Sequence, residues 1–273
     1  MMKTKPDLHI EILGCSSESQ MTDTETQGKK ISQQECQQCR YRDTYYEIGR
    51  CTPGDICVLI ESGRQIDRFF RFNPQEAPEY VEDPFWERRA IAARYIPQRM
   101  LIPLMEDSDE VVRRAVAYRI PMEHLIAMIN DPDREVRITV ADRLPQEQLE
   151  QMANDPDYGV RLYVARRMSP NRLFRMIRDP DRDVRRIVAT RLPTESLGLM
   201  MYDPETEVRQ VVAERIDEDA VVDMLQDPVW SVRFAAAMHA PVSALADLVE
   251  DPDPEVQDLV KQRLQNEAQI IVD

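Results

Sequence analysis

An aspartate recurs every 24 residues along most of this chain, at Asp83, Asp107, Asp131, Asp155, Asp179, Asp203, Asp227 and Asp251, with no insertion between units. Pro follows each of them except Asp107, which is followed by Ser108. This period constrains the fold more than any other feature. A 24-residue unit is too short to bury its own apolar face, so it must bury it against copies of itself, which is how a solenoid is built.

One unit, DPDREVRITVADRLPQEQLEQMAN (131–154), shows the local logic. Asp131 before Pro132 reads as a helix start, with Asp capping free N–H groups and Pro at the first helical position. Val136, Val140 and Leu144 then fall at i, i+4 and i+8, on one helical face. Pro145 ends the helix. The remaining residues carry Leu149 and Met152 three apart, which suits one or two turns of α or 3₁₀ geometry. The prediction is an all-α, right-handed solenoid of eight 24-residue repeats over residues 83–273. At the far end, Lys261, Gln265 and Gln269 replace apolar, Pro or small positions and read as a cap facing water. At the near end, Arg88 stands where other units have Val. Phe69, Phe70, Phe72 and Tyr80 just before it are read as seating a preceding region on the solenoid.

Two arginine columns recur. One holds Arg89, Arg113, Arg137, Arg161, Arg185, Arg209 and Arg233; the other holds Arg119, Arg143, Arg167, Arg191, Arg215 and Arg263, with His239 in one unit. They flank the apolar stripe. Rim arginines bury their stems and reach a carboxylate or helix end, and the repeated Asp residues supply partners. An anion-binding surface is the alternative. The methionine column (Met128, Met152, Met176, Met200, Met224) reads as core filling, with an adaptable binding face as its alternative.

The region 33–82 is different: it holds four of the five cysteines, as C-x2-C-x11-C-x5-C, at Cys36, Cys39, Cys51 and Cys57. Residues 1–32 form a polar N-terminal segment without the apolar core of a signal peptide, and nothing in the chain has 18 consecutive apolar residues. The expected location is therefore cytoplasmic, with no membrane partner. There thiols stay reduced, so clustered cysteines read as metal ligands before disulfides. The spacing brings four thiolates to one centre, either zinc or an iron–sulfur cluster. The second pair, CTPGDIC, is wide for zinc and suits the larger cluster. Cys15 reads as a free thiol. His9, His124 and His239 show no metal-ligand spacing. A net charge of −15 argues against nucleic acid, and seven glycines without a phosphate-loop pattern argue against a nucleotide site. No nucleophile–base pair is recognisable, so the chain does not read as an enzyme.

A cysteine cluster followed by units of the form DPDxxVRxxVAxRLP, as in 131–154 and 179–202, resembles the leucine-rich repeat variant family with an N-terminal 4Fe–4S domain. The resemblance covers nearly the whole chain from about residue 33. It implies alternating α and 3₁₀ helices in a right-handed superhelix without strands, and a [4Fe–4S] cluster on Cys36, Cys39, Cys51 and Cys57. Family members are often encoded near bacterial nitrogen-fixation genes. The expected function is a redox-linked protein–protein interaction or electron-transfer accessory. The alternative is a protein-binding scaffold whose cysteines hold a structural metal. Ser108, the displaced Pro170 and Asp217 in a Pro position depart from the pattern and put local turns in doubt. The HEAT-like repeats of bilin lyases share DPDxxVR, but their units are longer and lack the mid-unit Pro.

Overall fold

The computed structural model describes residues 31–270, with side chains to 267. The polar segment before residue 31, with His9 and Cys15, and the side chain of Gln269 lie outside the described residues. From Trp86 onward the chain alternates two kinds of element. The longer helices are Trp86–Ala92, Glu110–Ala117, Arg134–Arg143, Tyr158–Arg167, Arg182–Arg191, Thr206–Ala213, Trp230–His239 and Pro254–Ile270, each packed on the next. Between them run short 3₁₀ returns such as Leu149–Met152, Thr194–Met200 and Ala220–Gln226. No strand occurs among the described residues; Thr52 and Ile56 form an isolated bridge. No described helix is long and apolar enough to cross a membrane.

The predicted stripe is the core. Val136, Val140, Leu144, Leu149 and their counterparts in neighbouring units are fully buried, and the methionine column lies 2–3 % exposed among them. In the unit 131–154 the α-helix ends at Leu144, which turns extended before Pro145 (φ −56°, ψ 144°), and Met168 takes the same geometry before Ser169.

The cap assignment needs correction. Asp131 does not cap the helix and Pro132 is not its first residue; the second acid, Asp133, caps Glu135 and Val136 N–H groups, and the helix begins at Arg134. Asp109, Asp157 and Asp181 do the same in their units. The repeated Asp has another task. Its Oδ1 accepts from the backbone N–H two residues on, at 2.8–2.9 Å, in every unit from Asp107 to Asp251. Ser108 leaves this turn intact.

The same carboxylate receives a forked guanidinium from the preceding unit. Seven such rungs, Arg89–Asp107 through Arg233–Asp251, join Nε and Nη2 to the two carboxylate oxygens at 2.7–3.1 Å. Nη1 donates back to the carbonyl of the arginine's own unit Asp at 2.8–2.9 Å. The Arg233 guanidinium holds the Asp251 carboxyl below the usual carboxylate range. The second column caps helix ends. Arg119, Arg143, Arg167, Arg191, Arg215 and Arg263 donate to an alanine carbonyl at the end of the previous helix, 2.5–2.7 Å away. Both columns are thus structural, as the rim reading expects.

At the near end the aromatic seating holds for Phe69, Phe70 and Tyr80, all buried, but not for Phe72, which is 45 % exposed on the outer side of its helix. The final unit keeps Lys261 in solvent.

Two expected outcomes follow from this packing. Val160→Asp, at a fully buried site, destabilises by several kcal/mol, whereas the exposed Glu147→Gln stays within about 0.5 kcal/mol; urea midpoints compare them. Arg167→Met strips the Ala141 and Leu144 carbonyls of their donor and costs about 1–3 kcal/mol. Its neighbour Arg166 is exposed, and Arg166→Met leaves the midpoint nearly unchanged. Equal midpoints for these two variants would contradict the capping role.

Candidate metal centre

The cysteine region folds around short, tightly specified turns. Ser32 and Glu35 form a capping box that starts the turn Gln33–Gln37 and buries Cys36. Cys39 N–H donates to the Cys36 carbonyl at 3.3 Å, and Arg42 N–H to the Cys39 carbonyl at 3.0 Å. A one-turn π-helix, Arg42–Tyr46, follows, closed by Arg50 N–H to the Tyr45 carbonyl at 2.9 Å. The wide CTPGDIC loop closes through paired Thr52 and Ile56 backbone bonds at 2.8 and 2.9 Å, with Gly54 at φ +81° supplying the left-handed turn. Cys57 N–H then meets the Gln65 carbonyl at 3.4 Å, tying the loop to the helix Gly63–Phe72.

Cys36, Cys51 and Cys57 are buried and Cys39 is half-buried; none is in a disulfide. Their thiols are close enough to act on one another. Burial, reinforced by Cys57, Cys39 and Cys36, pushes the Cys51 thiol up to about 11. Burial also raises Cys57, while the backbone N–H groups of Leu59 and Ile60 favour its thiolate. Arg42 Nη1 lies 3.6 Å from Cys36 Sγ, and its guanidinium covers the Tyr46 ring at 4.3 Å. Among the described residues no three Cys, His, Asp or Glu side chains are gathered tightly enough for a single metal ion.

An aromatic wall backs the pocket. Tyr41 packs on Phe69 at 4.9 Å, Phe69 on Phe70 at 5.8 Å, and Phe70 on both Tyr80 (5.4 Å) and Tyr95 (6.0 Å) of the first repeat. Its polar tips are paired: Tyr80 OH donates to Tyr41 OH at 3.0 Å, and Tyr45 OH to Glu76 at 2.5 Å. The fully buried Asn73 sends Nδ2 to the Arg50 and Phe69 carbonyls, fixing the residue before Cys51 to the end of helix Gly63–Phe72. Sequence reasoning missed Asn73 and Arg42. The run YRDTYY (41–46) was the only hint of a built shell there.

The family described as LRV protein FeS4 cluster matches residues 25–79, which span all four of these cysteines. Leucine rich repeat variant matches residues 134–157 and 182–205. A solved structure titled a leucine-rich repeat variant with a novel repetitive protein structural motif is 61 % identical, with a TM-score of 0.79. The match covers 84 % of this chain and 97 % of that one. A 27.7 kDa protein of the nifB 3′ region of Rhodobacter capsulatus is 39 % identical over 85 residues, 31 % of this chain. The chain spans only 34 % of that relative's length. Repeats, cysteine module and these likenesses together define the class: the chain belongs to the leucine-rich repeat variant family, in the form with an FeS4 cluster region.

Proposed function

We propose that Cys36, Cys39, Cys51 and Cys57 hold a [4Fe–4S] cluster, and that the solenoid carries it to a protein partner with which it exchanges electrons or whose binding it adjusts. The observation that carries this reading is a set of four unbridged cysteines, three of them buried, within the segment that the FeS4 cluster family matches. Zinc, the alternative, takes a tighter tetrahedron.

A bound cubane cluster supplies one-electron transfer. The chain's own groups shape the site around it. Leu59 and Ile60 N–H groups at the Cys57 sulfur and Arg42 at Cys36 offset sulfur charge, which favours the reduced state. The aromatic wall keeps water from the inner side. The half-buried Cys39 marks the outward edge, where a partner approaches most closely. Four thiolates for four ligand positions leave no open iron for a substrate, which supports an accessory rather than an enzyme. The nifB-region relative supports a setting in nitrogen fixation.

Anaerobically purified protein is expected to contain about four iron and four sulfide per chain, and to bleach reversibly with dithionite. Alanine at Cys36, Cys39, Cys51 or Cys57 loses the chromophore; Cys15→Ala keeps it. Stoichiometric zinc without labile sulfide would contradict the cluster, and a cluster that dithionite cannot reduce would contradict the redox role.

A further inference from the structure

The 3₁₀ returns expose two columns that run along the solenoid, and their chemistry changes in order. In the unit at the centre, Leu199 and Tyr202 are 66 % and 82 % exposed, the largest exposures among the bulky apolar side chains. They lie three residues apart, beginning on the return Thr194–Met200, so they share one face. One unit toward the N-terminus the same two positions hold Arg175 and Arg178; one unit toward the C-terminus they hold Asp223 and Gln226. Two units out they hold Gln151 and Asn154 on one side, Asp247 and Glu250 on the other. All of these are exposed. Arg175 and Arg172 share Glu150, but Arg178, Asp223, Asp247 and Glu250 have no ion pair among the described residues.

The wider charge distribution runs the same way. Residues 158–191 contain ten arginines and three acids, while 192–258 contain three arginines and sixteen acids. Gly198 sits beside the apolar pair, and a Cβ built there meets nothing nearer than the Met201 sulfur at 3.9 Å.

This order is self-complementary. We propose that the face centred on Leu199 and Tyr202 binds a second copy of this chain, antiparallel, about a two-fold axis through that unit. A two-fold axis places position −1 of one copy against position +1 of the other. Arg175 and Arg178 then face Asp223, and the amides of Gln151 and Asn154 face Asp247 and Glu250, twice over. A parallel arrangement would set arginine on arginine and acid on acid. Repeats about 8–10 Å apart make this a five-unit stripe of roughly 40 Å, at the small end of specific interfaces. The dimer is therefore weak, concentration-dependent and sensitive to salt.

Sedimentation velocity on the anaerobically purified full chain tests this. Wild type shows a concentration-dependent dimer at low salt that dissociates as salt is raised. Tyr202→Ala weakens it by about tenfold or more. The charge-reversed variants Arg175→Glu/Arg178→Glu and Asp223→Arg/Asp247→Arg are each monomeric, yet form a heterodimer when mixed, because each supplies the sign the other lost. Circular dichroism and iron content confirm that both variants fold. A wild type that stays monomeric at all concentrations in low salt would overturn the proposal. So would a dimer indifferent to Tyr202, or variants that fail to pair on mixing.

Discussion

Each unit of this solenoid depends on one buried ion pair that also sets its length. The guanidinium of a first-column arginine reaches six residues back, to its own unit's Asp carbonyl, and eighteen forward, to the next unit's Asp carboxylate. The two reaches together span one 24-residue period, so an inserted or deleted residue would pull one end out of place. A forked arginine fits this role because its donors are fixed in a plane and its charge cannot be lost. The partner carboxylate is immobilised by the backbone N–H two residues on. Such a pair adds little net stability over a well-packed apolar pair, but it penalises wrong register heavily, since a misplaced unit buries an unpaired charge.

The ladder also explains the junction with the cysteine module. Asp83 should receive an arginine from eighteen residues earlier, but Gln65 stands there. Arg88, at the position where other units have Val, turns to Asp83 at 2.7 Å instead and also reaches the Leu59 carbonyl. The ionic rung is thus replaced by a local pair, and the seat itself is aromatic. Phe69, Phe70, Tyr80 and Tyr95 join the cysteine pocket to the first repeat in one continuous core. A change at the thiols would bear on packed rings rather than on a loose linker.

Much of this was legible in the sequence because it repeats. The period, the apolar stripe, the Pro stops and the pairing of rim arginines with repeated aspartates all follow from residue type at fixed spacing. What could not be read was which of two acids in DPD caps the helix. Both are good caps in isolation, and only the arrival of Arg113 at Asp131 from the preceding unit assigns the first to the ladder and leaves Asp133 as the cap. The cysteine set was legible for the same reason of spacing, but its shell was not. Asn73 and Arg42 act through folded proximity, and neither their type nor their position is periodic. Phe72 looked like its neighbours, and only the helical phase of Gly63–Phe72 turns it outward.

The ladder's role is tested most directly by a double-mutant cycle on one central rung, Arg137 with Asp155, read from urea unfolding of Arg137→Ala, Asp155→Ala and the double variant. Each single change strands a buried charge and is expected to cost about 3–5 kcal/mol, with a coupling energy of about 2 kcal/mol or more. A coupling below about 0.5 kcal/mol, the size found for exposed pairs, would contradict the rung as the element that holds neighbouring units in register.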